Sequence, residues 1–183
     1  MKKVVVIISV IIGYLFFNTA NAQISLGANL GSNFYYGKPR FGVTFTGKYK
    51  INDNMFAGLN FGLASKGSAD YTAPLYSIKI TSFLVPISGL LEYHFGEYLV
   101  NEVTIKPYAG VDVGCYIFNS FVAINAEKIK ESKINFGLAP TFGAWYALDD
   151  NLSLGTNVKY NFVVSEGTNS YFTLNIGALY NIN

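Results

Sequence analysis

Large apolar residues alternate with glycine and small polar residues along most of this chain. In the segment from Phe41 to Ile51 the odd positions are mostly large and apolar, and the even positions hold glycine, threonine and lysine. Successive side chains of a β-strand point to opposite faces, so this period of two predicts a strand with one apolar and one polar face. The same pattern predicts eight strands, at residues 24–34, 41–51, 55–64, 78–95, 105–117, 134–144, 152–162 and 172–182.

The polar face carries glycine, serine, threonine and asparagine with only scattered charges. Charged residues make up 13% of the chain, about half of the usual ~25%. A secreted lipocalin-like barrel, the alternative, would turn a charged face to water and its apolar face inward. An apolar face in lipid instead requires a closed sheet, because an open edge leaves backbone groups unpaired in hydrocarbon. We therefore expect an all-β fold, an eight-stranded antiparallel transmembrane up-and-down β-barrel.

The N-terminus has the organisation of a secretory signal peptide. Lys2 and Lys3 precede an apolar run over 4–17, and Ala20-Asn21-Ala22 follows as a cleavage site. A membrane anchor, the alternative, needs about 20 apolar residues, and this run is shorter. The sequence predicts a signal peptide at 1–22 and an outer-membrane β-barrel domain at 23–183, in the cell outer membrane of a Gram-negative bacterium.

The connections between the predicted strands differ in length. Asn52-Asp53-Asn54 and Asp149-Asp150-Asn151 are tight turn signals, whereas segments 35–40, 65–77, 119–133 and 165–170 are longer. Short periplasmic turns and longer external loops are typical of outer-membrane barrels. We expect the first strand to begin in the periplasm and the four longer segments to form external loops.

Aromatic residues cluster near both ends of the predicted strands, as in the two interfacial girdles of membrane barrels. The expected external girdle is Phe34, Tyr35, Phe41, Tyr76, Phe118, Phe136, Phe162, Tyr171 and Phe172. The expected periplasmic girdle is Tyr49, Tyr93, Phe95, Trp145, Tyr146 and Tyr180.

The charge balance argues against one class of partner, and a few single residues constrain the fold. Without Lys2 and Lys3 the numbers of basic and acidic residues are equal, so the charge gives no reason to expect a nucleic-acid partner. The lone Cys115 excludes an intramolecular disulfide. Pro86 lacks a backbone donor, which predicts a bulge or local break in the fourth predicted strand. Glycines on the polar face are expected to relieve crowding inside a small barrel.

Charged side chains on the polar face predict a network inside the barrel. Its expected members are Glu92, His94, Lys106, Asp112, Lys48 and Lys159, and Lys66 is expected to join them. The alternative is a catalytic or metal cluster, but a single histidine gives neither a dyad nor a zinc set. Because a charge in a narrow lumen needs a partner, we expect an ion-paired plug without an open channel. The chain is expected to be no enzyme and to hold no cofactor and no metal.

Several short motifs resemble the outer membrane protein β-barrel domain family in its PorT-like branch, over nearly the whole mature chain. They are Leu26-Gly27-Ala28-Asn29, Gly62-Leu63-Ala64-Ser65-Lys66-Gly67, Phe83-Leu84-Val85-Pro86-Ile87 leading to Glu92-Tyr93, Pro107-Tyr108-Ala109-Gly110 and the terminal Leu174-Asn175-Ile176-Gly177-Ala178-Leu179-Tyr180. The resemblance implies an integral outer-membrane protein, and some relatives serve protein secretion. Outer-membrane strands commonly end in an aromatic residue, whereas this chain ends Ile182-Asn183, which leaves Tyr180 for that role.

Two functions are expected from the sequence. The first is a structural or interaction barrel that binds a partner through its external loops at 65–77 and 119–133. The second, suggested by the resemblance, is a component of outer-membrane transport or protein secretion. The expected partners are outer-membrane lipid, lipopolysaccharide, which the basic 128–133 segment could contact, and an envelope or secretion protein.

Overall fold

The computed structural model describes residues 23–35, 38–73, 76–100, 103–124, 127–164 and 170–182. The expected signal peptide lies outside these residues. The strands are β1 (Ile24–Tyr35), β2 (Lys38–Lys50), β3 (Met55–Ala73), β4 (Tyr76–His94), β5 (Tyr98–Val100), β6 (Val103–Ile124), β7 (Glu127–Ala147), β8 (Leu152–Val164) and β9 (Tyr171–Ile182). The part of the chain that is described holds no helix long and apolar enough to cross a membrane.

Eight of the strands close into an antiparallel barrel. Each pairs with its neighbour in sequence, except that β4 pairs with β6 and not with β5, and β9 pairs with β1 to close the ring. The predicted eight-stranded barrel is therefore confirmed. The ninth strand, β5, lies in the segment that the sequence predicts as a plain connection between the fourth and fifth predicted strands. It pairs with the first residues of β6, from Tyr98 opposite Ile105 to Val100 opposite Val103.

The barrel turns its apolar residues outward. In β3, Leu59, Phe61 and Leu63 are exposed on the outer surface, and the intervening Asn60 is buried. The same alternation runs around the barrel, so that polar side chains fill the interior. Buried polar residues include Asn29, Thr46, Ser88, Thr141, Asn157 and Asn175.

Two prolines interrupt the ladder on one side of their strand. Pairing between β3 and β4 stops at Phe61 opposite Ile87 and resumes at Ala64 opposite Leu84, with Pro86 in the gap. The pairing of Pro86 with Tyr116 of β6 continues without a break. Proline has no N–H, so the local break predicted at Pro86 occurs on the side where that N–H would have paired. Pro140 of β7 causes the same interruption toward β8.

Four strands continue well beyond the others at one end of the barrel. Among the described residues, the last pair between β2 and β3 is Gly42 opposite Ala64, and the last pair between β7 and β8 is Phe136 opposite Val164. Beyond those positions β3, β4, β6 and β7 remain paired to one another. We call this four-stranded extension, residues 65–73, 76–83, 119–124 and 127–135, the projecting sheet, and the opposite end of the barrel the turn end.

The prediction that 65–77 and 119–133 are loops is wrong, because most of these residues are strand. Apolar and polar residues still alternate there, but several apolar residues now lie on the inner face. A search for apolar residues on the outer face alone therefore predicts a polar loop. β3 contains a bulge at this point: its register against β4 shifts between Ser65 and Gly67. Gly67 has a φ of 132°, a conformation that favours glycine.

Candidate functional site

A buried ion pair lies near the turn end of the barrel interior. Lys48 Nζ of β2 is 2.6 Å from Glu92 Oε2 of β4, and the two side chains are 2% and 9% exposed. His94 Nε2 lies 3.3 Å from the same carboxylate oxygen. The Lys48 ammonium also lies 5.2 Å and 4.8 Å from the ring centroids of Tyr108 and Trp145. The carboxylate and the ring faces together stabilise this buried cation.

A second ion pair lies deeper in the barrel. Lys159 Nζ of β8 is 2.5 Å from Asp112 Oδ2 of β6. Asn60 donates to the same oxygen at 2.7 Å, and Ser88 donates to it at 3.3 Å. Thr46 in turn donates to Asn60 Oδ1 at 2.6 Å. The Asp112 carboxylate is thus compensated by one cation and two neutral donors, as a buried charge requires.

Five of the six residues expected in the interior network lie in these two groups, and Lys106 does not. Its ammonium pairs with Glu97 at 2.5 Å at the open turn end, where the two side chains are 36% and 63% exposed. Lys106 is near the start of β6, where the strand meets solvent, so this pair forms without the cost of burial. Lys66 also lies apart, with Nζ 4.4 Å from the ring centroid of Phe118 at the other end of the barrel.

Glycines make room for the large side chains of the interior. A methyl group at Gly143 would lie 2.7 Å from Cζ of Tyr108, and one at Gly137 would lie 2.7 Å from Cε2 of Tyr116. Each ring therefore lies over a glycine of the adjacent β7. These contacts agree with the expectation that the inward glycines relieve crowding.

Hydrogen bonds link the next layer toward the projecting sheet. The Tyr116 hydroxyl donates to Asn161 Oδ1 at 3.1 Å, and Asn161 Nδ2 donates to the Thr173 hydroxyl at 3.0 Å. Thr173 donates to Asn33 Oδ1 at 2.8 Å. This chain connects β6, β8, β9 and β1 across the interior.

An apolar layer follows where the projecting sheet begins. It consists of Tyr35, Ala64, Leu84, Tyr116, Phe118, Val163 and Tyr171, all buried. Tyr35, Phe118 and Tyr171 are predicted for the external girdle, and Trp145 for the periplasmic one, but all four side chains are buried. The period of two in their strands assigns all four side chains to the inner face. For these residues the alternation is a better guide than their position at the strand ends.

The interior cavities are unequal in size. A cavity of about 350 Å³ opens at the turn end, where Lys50, Asp53, Glu97 and Lys106 contribute to its lining. Two further cavities, of about 20 and 30 Å³, lie deeper, and each has room for roughly one water. Within the described ranges, no group of three or more histidine, cysteine or acidic residues could hold a metal ion.

The two rows of the projecting sheet farthest from the barrel carry apolar residues on the inner face, opposite to the barrel. Cross-strand partners share a face, so Ala69, Ile80, Val122 and Ile129 form one row on the inner face. The inner face also carries Tyr71, Ile78 and Ile124. The outer face carries the polar residues Ser68, Asp70, Lys79, Thr81, Lys130 and Ser132 and the stacked rings of Phe83 and Phe121.

Comparison with known proteins places this architecture in a family. The family model for the outer membrane protein beta-barrel domain matches residues 13–181. This chain belongs to that family. Its members are outer-membrane proteins, so the chain is located in the outer membrane, and the outward apolar band of the barrel faces lipid. No curated protein matches the chain in sequence.

Solved structures of outer-membrane proteins share the fold. Neisserial surface protein A is 20% identical with a TM-score of 0.59, and the match covers 88% of this chain and 97% of that one. A major outer membrane protein from Thermus thermophilus is 17% identical with a TM-score of 0.58, covering 88% and 100%. Ail, the attachment invasion locus protein of Yersinia pestis, is 16% identical with a TM-score of 0.54, covering 88% and 97%. At these identities the likeness shows the fold alone.

Proposed function

We propose that this protein is a non-enzymatic interaction barrel, anchored in the outer membrane by its lipid-facing band and binding a partner through the projecting sheet. The observation that carries the proposal is the projecting sheet itself. Its strands extend beyond the apolar band, and near its tip the inner face presents an apolar row that includes Ile80, Val122 and Ile129. Ordered secondary structure with exposed apolar residues is typical of a binding surface.

The orientation follows from the connections. The short turns at Ile51–Asn54 and Leu148–Asn151 lie at one end, and such turns face the periplasm in outer-membrane barrels. The projecting sheet then extends outside the cell. Lipid, including lipopolysaccharide, is the partner we assign to the outward apolar band, and membership of the PorT-like branch is part of the same proposal.

A plugged lumen supports binding over transport. Two ion pairs and an apolar layer occupy the interior, and the deeper cavities have room for roughly one water each. An eight-stranded barrel is just wide enough for side chains to fill. We therefore propose that the barrel conducts no ions and that its function resides outside the membrane.

Likeness to Ail adds a limited analogy. Ail is an attachment invasion locus protein, and a second structure of Ail contains the heparin analogue sucrose octasulfate. A barrel of the same fold thus binds a ligand, which is consistent with a binding role for this one.

The proposal is tested by photo-crosslinking in living bacteria. A photoreactive residue replaces Ile80 on the inner face of the projecting sheet, Thr81 on its outer face, or Leu59 in the lipid-facing band as the matched control. We expect a protein adduct of defined size from at least one face of the projecting sheet and lipid adducts alone from Leu59. Steady ion conductance in planar bilayers, with no protein adduct from either face, would favour the transport or secretion alternative instead.

A further inference from the structure

A polar row crosses the inner face of the projecting sheet at its base. Cross-strand partners share a face, and the row that follows the apolar layer consists of Gly67, Ser82, Ser120 and Glu131. The two serine hydroxyls are hydrogen-bonded to each other at 2.8 Å. The next row outward is apolar, with Ile80 among its members. From the barrel to the tip, the inner face is therefore apolar, then polar, then apolar again.

Three basic residues on separate strands border this polar row. Arg40 of β2 lies against the bulge of β3, because a methyl group at Gly67 would lie 2.9 Å from a terminal nitrogen of its guanidinium. The Lys66 ammonium lies 4.4 Å from the ring centroid of Phe118. Lys133 of β7 is the cross-strand partner of Phe118 and shares its inner face. Lys66, the neighbour of Gly67 in the chain, thus lies between the other two cations.

Negative charge is scarce at this level. In the polar row and the row of Phe118, Glu131 has the one carboxylate found among the described residues, and it lies 3.3 Å from Lys133. The Glu131 and Lys133 side chains are 64% and 68% exposed, so solvent reaches them and their ion pair contributes little. Three cations against one carboxylate leave a net positive surface, which concentrates anions. We call Arg40, Lys66, Lys133, Ser82 and Ser120 the basic belt.

The groups of the basic belt determine which anion it fits. The planar guanidinium of Arg40 can hold two oxygens of a phosphate or sulfate group, and lysine ammoniums bind such groups as point charges. Serine hydroxyls can donate to further oxygens. Cations from three strands fit a molecule with several such groups better than a single ion. Membrane lipid contacts the outer face of a barrel, whereas the belt lies on the inner face, so its ligand comes from solution.

We propose that the basic belt binds a small soluble molecule that carries several phosphate or sulfate groups and enters at the end of the barrel that carries the projecting sheet. The ligand lies on the apolar layer and below the apolar row of Ile80. This site goes beyond the partner surface of the proposed function. Entry from outside the cell rests on the orientation proposed above, whereas binding to the protein in micelles does not depend on it.

The test titrates inositol hexakisphosphate into the whole folded barrel in nonionic detergent micelles by isothermal calorimetry, with uncharged inositol as the matched ligand. We expect the hexakisphosphate to bind and inositol not to bind. Arg40→Gln and Lys133→Gln should each weaken binding by about tenfold. Glu131→Gln should strengthen binding, because it removes the opposing charge. Lys79→Gln is the matched control: it removes an exposed lysine from the outer face of the projecting sheet and should bind as the parent does.

The control at Lys79 separates a site from a general effect of net charge. No binding by the parent, or equal losses from Lys79→Gln and Lys133→Gln, would overturn the proposal, as would weaker binding by Glu131→Gln. Lipopolysaccharide added to the micelles should leave the affinity unchanged, and a loss of binding would mean that a lipid headgroup fills the belt instead. Crosslinks at Ile80 or Thr81 test the proposed function separately, so the two failures are distinguishable.

Discussion

In the barrel and in the projecting sheet, the same four strands turn opposite kinds of residue to their inner face. In the barrel, β4 turns Val85 and Ile87 outward and Ser88 inward, and in the projecting sheet it turns Lys79 outward and Ile80 inward. Backbone pairing is continuous between the two parts except at the bulge and the proline gap. A period of two therefore specifies a strand, whereas the medium outside the sheet decides which face is apolar.

The two parts are joined in two different ways. In β4 the backbone is regular and the apolar residues move from odd to even positions. In β3 the apolar residues stay on odd positions, from Leu63 in the barrel to Tyr71 in the projecting sheet, and the bulge at Lys66 moves those positions to the other face. A bulge adds one residue to one strand. In β3 this extra residue moves the apolar side chains to the inner face, and in β4 the change from odd to even positions has the same result.

The largest effect is expected inside the barrel, from Glu92→Ala. This change leaves the Lys48 ammonium buried without its carboxylate, and breaking a buried ion pair costs about 3–5 kcal/mol. The Tyr108 and Trp145 rings recover part of this loss. We expect the free energy of unfolding in lipid vesicles, measured by urea titration, to fall by that order, while membrane insertion is retained.

Lys48→Met combined with Glu92→Leu is the matched control for Glu92→Ala. Removing both charges leaves no stranded cation, so the double variant should recover most of the lost stability. Equal losses in the single and double variants would show that the ion pair is not what stabilises this layer.

The stability cost of an arginine on the outer face should differ between the barrel and the projecting sheet. Leu138→Arg places a charge in the lipid-facing band of β7 and should cost roughly 2–4 kcal/mol. Thr81→Arg lies on the outer face of the projecting sheet, in water, and should change stability by less than about 0.5 kcal/mol. Asn157→Ser, inside the barrel, should cost less than Leu138→Arg. Urea unfolding in vesicles measures all three, and equal penalties at Leu138 and Thr81 would place the projecting sheet in lipid.

The sequence predicts the barrel better than the projecting sheet, for a physical reason. Apolar residues facing lipid give a long, regular signal, and all eight barrel strands follow from it. The signal changes phase at the rim, so residues 65–77 and 119–133 no longer match the outward pattern. The bulge at Lys66 depends on how β3 meets β4, and nothing within the sequence of β3 alone specifies that register.

Partners within the interior were only partly predictable. Alternation places Lys48, Glu92, Asp112 and Lys159 inside, but it does not specify which lysine meets which carboxylate. Both pairs cross an intervening strand: Gly58 of β3 lies opposite Lys48, and Ala139 of β7 lies opposite Asp112. Because these two residues are small, each lysine side chain extends over the intervening strand to its carboxylate. Which lysine meets which carboxylate therefore depends on the stagger of three strands.

A small effect on stability is expected from a pair of cysteines that tests the register beyond the bulge. Asp70 lies directly opposite Lys79 on the outer face, and cross-strand neighbours on one face have Cβ atoms about 4.5–5.5 Å apart, near the reach of a disulfide. In a Cys115→Ser background, D70C with K79C should crosslink under mild oxidant. D70C with I78C, which a ladder without the bulge would align, should not.

Non-reducing gels measure the yield of the crosslink. The free energy of unfolding of the barrel should change by less than about 1 kcal/mol, because the pair lies beyond the lipid-facing band. Preferential crosslinking of D70C to I78C would mean that β3 has no bulge and that Tyr71 faces outward, which would remove the exchange of faces from that strand.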